Sequence, residues 1–181
     1  MNVLETDRLI LRWFESSDAP FVLQLLNDPG WLKFIGDRGV RTIDAAEKYL
    51  ERGPIAMYAK EGLGLYLVER KRDGEPIGMC GLIKRAGLDD IDIGFAFLPP
   101  FCGQGYAHEA AQSVMAYARK PLGLRRIVAI TDPRNTSSIR LLEKIGFAFE
   151  KMVRLNADDI ELMLFAHHTP TQKLLGHDAR R

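Results

Sequence analysis

The stretch IGFAFLPPFCGQGYAHEA, residues 93–110, decides how this chain of 181 residues folds. Its first residues are typical of a strand, and Pro99-Pro100 ends that strand because proline cannot donate a hydrogen bond to a sheet ladder. An alanine-rich helix is predicted to follow over residues 108–119. Between the two elements, Gly103 and Gly105 allow the backbone to turn tightly and to approach a ligand closely.

This turn is a candidate phosphate site, because the N–H groups and the positive dipole end at a helix start attract anions. An ordinary strand-to-helix turn with glycine at positive φ is the simpler interpretation. A P-loop would require Gly-Lys-Ser/Thr, which is absent here. The dinucleotide fingerprint needs Gly or Ala where this chain has His108, and its acidic ribose partner would be Asp132. That fingerprint normally opens a series of βαβ units, so a dinucleotide-dependent enzyme is the less favoured alternative.

Outward from this stretch, strands and helices follow one another irregularly. Strands are predicted over residues 8–14, 65–69, 76–84, 89–98, 126–131, 147–155 and 160–166, and helices over 19–27, 43–52, 108–119 and 135–144. Asp73-Gly74 predicts a hairpin, whereas Asp28-Pro29-Gly30 and Gly53-Pro54 are predicted to end the first two helices. Residues 31–41 are predicted to be irregular. This order predicts an α+β fold with three α/β/α layers rather than regular β–α alternation.

Composition restricts the function classes. With 25 Lys and Arg against 24 Asp and Glu, the net charge of +1 argues against a general nucleic-acid binder. No apolar run approaches the ~18 residues that span a bilayer, and no membrane partner is expected. Two cysteines and the lack of an apolar leader predict a reducing, cytoplasmic setting. The histidines lack metal-binding spacing, so no metal is expected. Because a domain has ~150 residues on average, 181 residues predict a single domain, over 1–168, followed by a polar tail over 169–181.

Three separated motifs give the chain a family resemblance. They are LETDRLILR at residues 4–12, the stretch 93–110, and NTSSIRLLEKIGF at residues 135–147. The central motif resembles the acetyl-CoA-binding motif of the GNAT acetyltransferases. The outer two resemble the RimJ/RimL-type branch, which acetylates protein N-termini and small amines. The resemblance runs from about residue 4 to 166. It implies an N-acetyltransferase that uses acetyl-CoA, with a mixed, mostly antiparallel sheet whose bulged fourth strand splays from the fifth.

The resemblance also implies binding roles. Main-chain groups of the fourth strand would bond the pantetheine arm by β-augmentation. N–H groups of the following loop would hold the diphosphate, and the start of the late helix would contact the far end of pantetheine. The strand residues are Phe95, Ala96 and Phe97, the loop residues are Gly103, Gln104, Gly105, Tyr106 and Ala107, and the late-helix residues are Asn135 and Ser138. Asn135 would equally serve as a helix N-cap. Cys102 departs from the family pattern, where a phosphate-contacting side chain often stands; we interpret it as a small filler, with a thiol of lowered pKa as the alternative.

Direct attack of an amine on the acetyl thioester requires a base, because an α-amine has a pKa of about 7.7–8.0. Asp92 is the first candidate, with Asp90 and Asp89 as alternatives, and a solvated acidic edge is the non-catalytic interpretation. Many family members carry a tyrosine where this chain has Leu142, so the general acid is open and Ser138 is the nearest hydroxyl. The same departure leaves open an acyl-CoA sensor without turnover.

The N-terminal half is expected to supply the amine pocket. Candidate lining residues are the aromatic Trp13, Trp31, Phe34 and Tyr49 and the acidic Asp37 and Glu47. Each aromatic would otherwise be a core or lid contact. The choice between a protein N-terminus and a small-molecule amine stays open, as does the choice between a monomer and a homodimer.

Overall fold

The computed structural model describes residues 1–156 and 159–168. The strands are β1 Asn2–Glu5, β2 Leu9–Arg12, β3 Leu65–Arg70, β4 Glu75–Ile83, β5 Asp92–Phe97, β6 Arg126–Thr131, β7 Ala148–Val153 and β8 Leu162–His168. The helices are α1 Ala19–Leu26, α2 Pro29–Phe34, α3 Ile43–Leu50, α4 Ala56–Glu61, α5 Tyr106–Arg119 and α6 Thr136–Lys144. In the described part of the chain, the strands form one sheet in the order β1-β2-β3-β4-β5-β6-β8-β7.

The sheet is mixed and mostly antiparallel, as predicted, with β5 and β6 as its parallel pair. Successive residues of β3 and β4 are buried, so both faces of the central sheet are covered. Helix α5 packs the small and apolar side chains of one face against β4 and β5. Because apolar strand faces need cover on both sides, the arrangement is the expected three-layer α+β fold.

The N-terminal half differs from the sequence prediction at three points. Strand β1, which was not predicted, pairs with β2. Asp28-Pro29-Gly30 separates two helices by starting α2: the Asp28 side chain accepts hydrogen bonds from the Gly30 and Trp31 N–H groups, and proline is tolerated at the first helical position. Gly53-Pro54 does not end the second helix, because a π-helical turn over Glu51–Ile55 accommodates the proline and leads into α4.

The C-terminal elements follow the prediction closely. The Asp73-Gly74 hairpin joins β3 to β4, as expected. Strand β8 extends two residues beyond the predicted end at residue 166, because His167 and His168 pair with Ile127 and Arg126 of β6. The predicted tail, residues 169–181, and residues 157–158 of the predicted turn before β8 lie outside the described residues.

The parallel strands β5 and β6 touch at one point and then separate. Their register contains the pair Asp92 and Val128, and the Val128 N–H donates to the Ile91 carbonyl at 2.9 Å. Beyond this apex, the ends at Phe97 and Thr131 diverge. The predicted splay is therefore present, although the pairing of β4 with β5 runs without the register shift that a bulge would cause.

Candidate active site

The opening between β5 and β6 exposes one edge of β5. The Leu98 N–H donates to the Ile77 carbonyl of β4 at 3.0 Å, while the Ile91 carbonyl faces β6. Because peptide groups alternate along a strand, those of Phe95 and Phe97 face the opening. Those of Ala96 face β4 instead. The edge at the opening is thus formed by Phe95 and Phe97, and a binding role for Ala96 stays a prediction.

The loop after β5 presents a group of free amides. Gly103 and Gly105 have φ of 74° and 82°, which is the left-handed region that glycine adopts without strain. In the described part of the chain, no N–H from residue 103 to residue 108 donates to a backbone carbonyl; the first that does is that of Glu109, to Gly105 at 3.0 Å. The Gln104 side chain folds back onto the Pro100 carbonyl at 2.7 Å and thus steadies the loop.

The start of α6 lies beyond the end of β6. Asn135 is its N-cap, with Oδ1 accepting the Ser138 N–H at 3.1 Å. The Asn135 amide nitrogen and the Ser138 hydroxyl have no hydrogen-bond partner among the described residues, and both side chains are half-buried. Leu142 is buried in the core, where it holds no polar group for the reaction.

Asp92 lies at the apex of the opening and is 1% exposed. Its Oδ2 accepts a hydrogen bond from Arg85 Nε at 2.8 Å, and Arg85 Nη2 completes the ion pair at 2.8 Å from the same oxygen. Its Oδ1 lacks a hydrogen bond of normal geometry in residues 1–156 and 159–168, although the nearby Ile130 amide still favours the charged form. Burial raises the pKa of Asp92 to about 6, and the Arg85 charge partly opposes that rise.

The other two acidic candidates lie in different surroundings. Asp90 forms an ion pair with Arg126 at 2.8 Å, and Arg126 also pairs with Glu150 of β7. Asp90 therefore belongs to a network that ties the strand entry to the sheet. Asp89 is exposed and lies outside β5.

The predicted amine-pocket residues are divided between several roles. Trp13 stacks on Tyr58 with ring centroids 4.8 Å apart, and the Trp31 indole donates to the Gly36 carbonyl at 3.0 Å. Asp37 is occupied by Arg41 at 2.6 Å. Tyr49 is half-buried; burial raises the pKa of its hydroxyl, and the charges of Arg38 and Arg85 oppose that rise. Tyr49 is thus an aromatic candidate whose hydroxyl lies within electrostatic reach of Arg85, the partner of Asp92.

Sequence reasoning missed Arg85 as a partner of the candidate base. The register of β4 with β5 pairs Ile83 with Asp92, and Arg85 stands two residues beyond Ile83 in the connecting loop. The hairpin geometry, once the register is known, brings the guanidinium back to the carboxylate. Asp92 and Gly94 lie on the same face of β5, since side chains alternate along a strand.

Cys102 holds its thiol close to the end of β5. Its Sγ lies 3.6 Å from the Leu98 carbonyl oxygen, and burial together with the Asp28 charge raises its pKa. The alternative of a lowered thiol pKa is therefore wrong. No group of three or more His, Cys, Asp and Glu side chains in the described residues could hold a metal ion, and no helix there is long and apolar enough to cross a membrane.

Comparison with known proteins agrees with this geometry. The family model described as an acetyltransferase (GNAT) domain matches residues 8–148. An uncharacterized N-acetyltransferase of Bacillus subtilis, YnaD, is 31% identical over 147 residues, covering 81% of this chain and 83% of the relative. A GNAT-family acetyltransferase of Bacillus anthracis is 26% identical, with a TM-score of 0.76 and coverage of 93% of this chain and 98% of that one.

The structure of RimL, a ribosomal L7/L12 α-N-protein acetyltransferase in complex with coenzyme A, shares the fold. Its TM-score is 0.79 at 20% identity, covering 93% of this chain and 98% of the RimL chain. The family model spans well over half of the present chain, and the fold, the splayed strands and the glycine loop agree with it. The chain therefore belongs to the GNAT family of acetyl-CoA-dependent N-acetyltransferases.

Proposed function

We propose that this chain transfers the acetyl group of acetyl-CoA to a primary amine by direct attack, with Asp92 as the general base. The observation that carries the proposal is a buried carboxylate with an unsatisfied oxygen at the apex of the β5–β6 opening. A buried carboxylate without full hydrogen bonding destabilises the fold, and such a group is therefore a candidate for a functional role.

The opening fits acetyl-CoA at three places. The free edge of β5 at Phe95 and Phe97 matches the amide groups of a pantetheine arm, and the methyl group of Ala96 offers a small apolar surface beside it. The free amides from Gly103 to Ala107 match a diphosphate. The unpaired amide nitrogen of Asn135 and the hydroxyl of Ser138 match the far end of pantetheine.

In the proposed reaction, Asp92 removes a proton from the ammonium form of the substrate or from its attacking nitrogen. The nitrogen forms a bond to the acetyl carbon, the carbon–sulfur bond breaks, and the sulfur takes the electron pair. A carboxylate with a pKa of about 6 is ionised at neutral pH and is a stronger base than an ordinary aspartate, which suits this task. We assign the stabilisation of the developing oxyanion to main-chain N–H groups of β5 at the opening.

Ser138 is the proposed proton donor to the leaving sulfur. A thiol has a pKa of about 8.5, so a thiolate leaves readily and a donor adds little. We therefore expect the Ser138→Ala substitution to lower kcat less than about tenfold, well below the 10²-fold that a positioned acid commonly contributes. A larger loss without a change in acetyl-CoA affinity would assign Ser138 a stronger role than this.

The proposed acceptor is a protein N-terminus or a small primary amine, as in the RimJ/RimL-type branch. The resemblance of residues 4–12 and 135–147 to that branch supports the choice, and RimL has the same fold. Two unpaired cysteines support a cytoplasmic setting. Whether the chain acts as a monomer or as a homodimer stays a prediction.

Two measurements test the proposal. Calorimetric titration of the purified protein with acetyl-CoA should show binding in the micromolar range, and no binding at high micromolar concentration would contradict it. Release of free thiol is then followed with a panel of N-terminal peptides and small amines, with detection of the acetylated amine by mass spectrometry. Turnover of at least one amine supports a transferase. Binding without turnover across the whole panel would favour an acyl-CoA sensor instead.

A further inference from the structure

The turn between β1 and β2 holds the first turn of α5. Glu109 of α5 accepts hydrogen bonds from the Thr6 hydroxyl at 2.6 Å, the Arg8 backbone N–H at 3.0 Å and Arg8 Nε at 2.6 Å. Burial opposes the charged form of Glu109, but these bonds outweigh it and lower the pKa of the carboxyl group. The opening motif of the sequence and the helix after the glycine loop are thus joined by an ionised carboxylate.

Arg8 reaches further, into the glycine loop itself. Its Nη1 donates to the Gln104 carbonyl at 3.1 Å, and its guanidinium lies 4.5 Å from the centre of the Tyr106 ring. Its Nη2 lies 3.3 Å from the position that a Cβ at Gly105 would occupy. Nη2 makes no hydrogen bond to any described residue, and the side chain is 46% exposed.

Two nitrogens of this guanidinium, Nε and Nη1, therefore hold the side chain in place, and the third, Nη2, is available to a ligand. Glu109 and the Gln104 carbonyl fix Nε and Nη1, and the Tyr106 ring supports the guanidinium plane. The remaining Nη2 lies beside Gly105, where the free loop amides are. An arginine that is already held in place loses little side-chain entropy when it binds an anion.

From this geometry we propose that Arg8 binds the diphosphate of acetyl-CoA through Nη2 and, together with Glu109, positions the glycine loop. The inference rests on the proposed function and adds a residue about a hundred positions away from the loop. It also accounts for Cys102: the loop lacks a cationic side chain of its own, and a distant strand supplies one. Because Nη2 adjoins Gly105, the diphosphate rather than the ribose 3′-phosphate is the group it meets.

The test compares three ligands that differ in phosphate content. They are acetyl-CoA, acetyl-dephospho-CoA, which lacks the 3′-phosphate, and S-acetylpantetheine, which has no phosphate. Arg8→Gln is expected to weaken the first two by about 10- to 100-fold, the loss typical of a charged hydrogen bond, and to leave the third unchanged. Calorimetry serves for the tight ligands, and NMR titration serves for S-acetylpantetheine in the millimolar range.

Arg72→Gln is the matched control, because Arg72 is 71% exposed in the β3–β4 turn and lies outside the proposed site. It should bind all three ligands as the wild type does. Arg8→Lys keeps the charge but lacks the fork that reaches Glu109, Gln104 and a ligand at once, so an intermediate loss is expected. This variant also keeps the test decisive if Arg8→Gln does not fold, as judged by circular dichroism.

Each outcome bears on a definite claim. Wild-type affinity for acetyl-CoA in the Arg8 variants would overturn the inference while leaving the proposed function intact. An equal loss for all three ligands would show a purely structural role and also overturn it. A loss confined to acetyl-CoA would assign Arg8 to the 3′-phosphate, against the diphosphate. If the wild type binds no acetyl-CoA, the proposed function fails as well.

Discussion

The two ends of β5 prepare for the same ligand by opposite means. At the carboxyl end, the loop from Gly103 to Ala107 offers main-chain N–H groups that donate to no backbone carbonyl of the described residues. At the amino end, Asp92 is a buried side chain whose charge is opposed by its surroundings. In the proposed function, backbone conformation governs acetyl-CoA binding at the loop, whereas the ionisation of one group governs the chemistry at the apex.

The largest expected effect is at the apex. Asp92→Asn keeps the shape of the side chain but removes the base, and general bases commonly contribute about 10²–10⁴-fold, so kcat should fall by that factor. Acetyl-CoA affinity, measured by calorimetry, should change less than about threefold, because the loop lies at the other end of the strand. The exposed Asp89 provides the control variant, Asp89→Asn, which should keep wild-type kcat. Full activity in Asp92→Asn would show that Asp92 is not the general base.

The second effect concerns the loop and should appear in binding. Gly105 has φ of 82°, and a Cβ there would lie 3.3 Å from Arg8 Nη2. Gly105→Glu puts a negative side chain among the amides proposed to bind the diphosphate, so acetyl-CoA binding should weaken at least about 100-fold, or about 2.7 kcal/mol. The fold should remain, as judged by circular dichroism.

Gly123→Glu is a matched control for backbone strain. Gly123 also has a positive φ, of 64°, and nothing lies within 4 Å of a Cβ built on it. It carries the same unfavourable conformation without meeting the loop, so it should lower stability slightly while binding acetyl-CoA normally. Equal binding loss in both variants would mean that strain, not blockage of the amides, weakens Gly105→Glu.

The third effect is a shift in pH dependence. Because Asp92 must be ionised to act as a base, kcat/KM should rise with pH through about 6. The Arg85 charge lowers that pKa, so Arg85→Gln should move the acidic limb to higher pH. Two acceptor amines with different pKa values separate this limb from titration of the substrate, since only the substrate limb moves between amines. An acidic limb at the same pH in Arg85→Gln as in the wild type would show that the ion pair does not set the pKa of the catalytic base.

The sequence predicts the region around the loop better than the region around the acceptor side. Alternation, paired prolines and glycines are local signals, so the strand, the turn and α5 could be placed from the residues alone. In the N-terminal half, the same local signals were incomplete. Helix α1 ends before Asp28-Pro29-Gly30, as predicted, but the Asp28 side chain also caps a new helix at that point.

Pairings between distant residues could not be predicted in the same way. The contact of Arg8 with Glu109 spans 101 positions, and no periodicity in one sequence indicates which charges meet across a sheet. The place of Asp92 in the strand makes it a candidate base, but its burial and its Arg85 partner depend on the register of β4 with β5. Residue types and local turns were therefore predictable, whereas the electrostatic environment of the base was not.

The smallest effect links the chemistry of the apex to stability. Asp92 and Asp132 are both buried, at 1% and 2% exposure, but burial raises the pKa of Asp92 while Arg134 lowers that of Asp132. A raised pKa in the folded state means that stability present below pH 3.8 is lost as the pH rises through about 6. Asp92→Asn avoids that loss, so its Tm should exceed that of the wild type by about 2–4 °C at pH 8 for each 1 kcal/mol gained, and the gap should close towards pH 4.

Asp132→Asn tests the opposite sign in the same molecule. Its carboxylate contributes stability above the unfolded pKa of 3.8, because the ion pair with Arg134 at 2.6 Å favours the charged form. The substitution should therefore lower Tm at pH 8, and this effect should shrink as the pH falls below 3.8 and through the lowered pKa of the folded protein. Melting curves of both variants across pH 4–8 would show gaps of opposite sign. A lower Tm for Asp92→Asn at pH 8 would mean that the Arg85 pair outweighs the cost of burial, and that Asp92 is held for the fold as much as for the reaction.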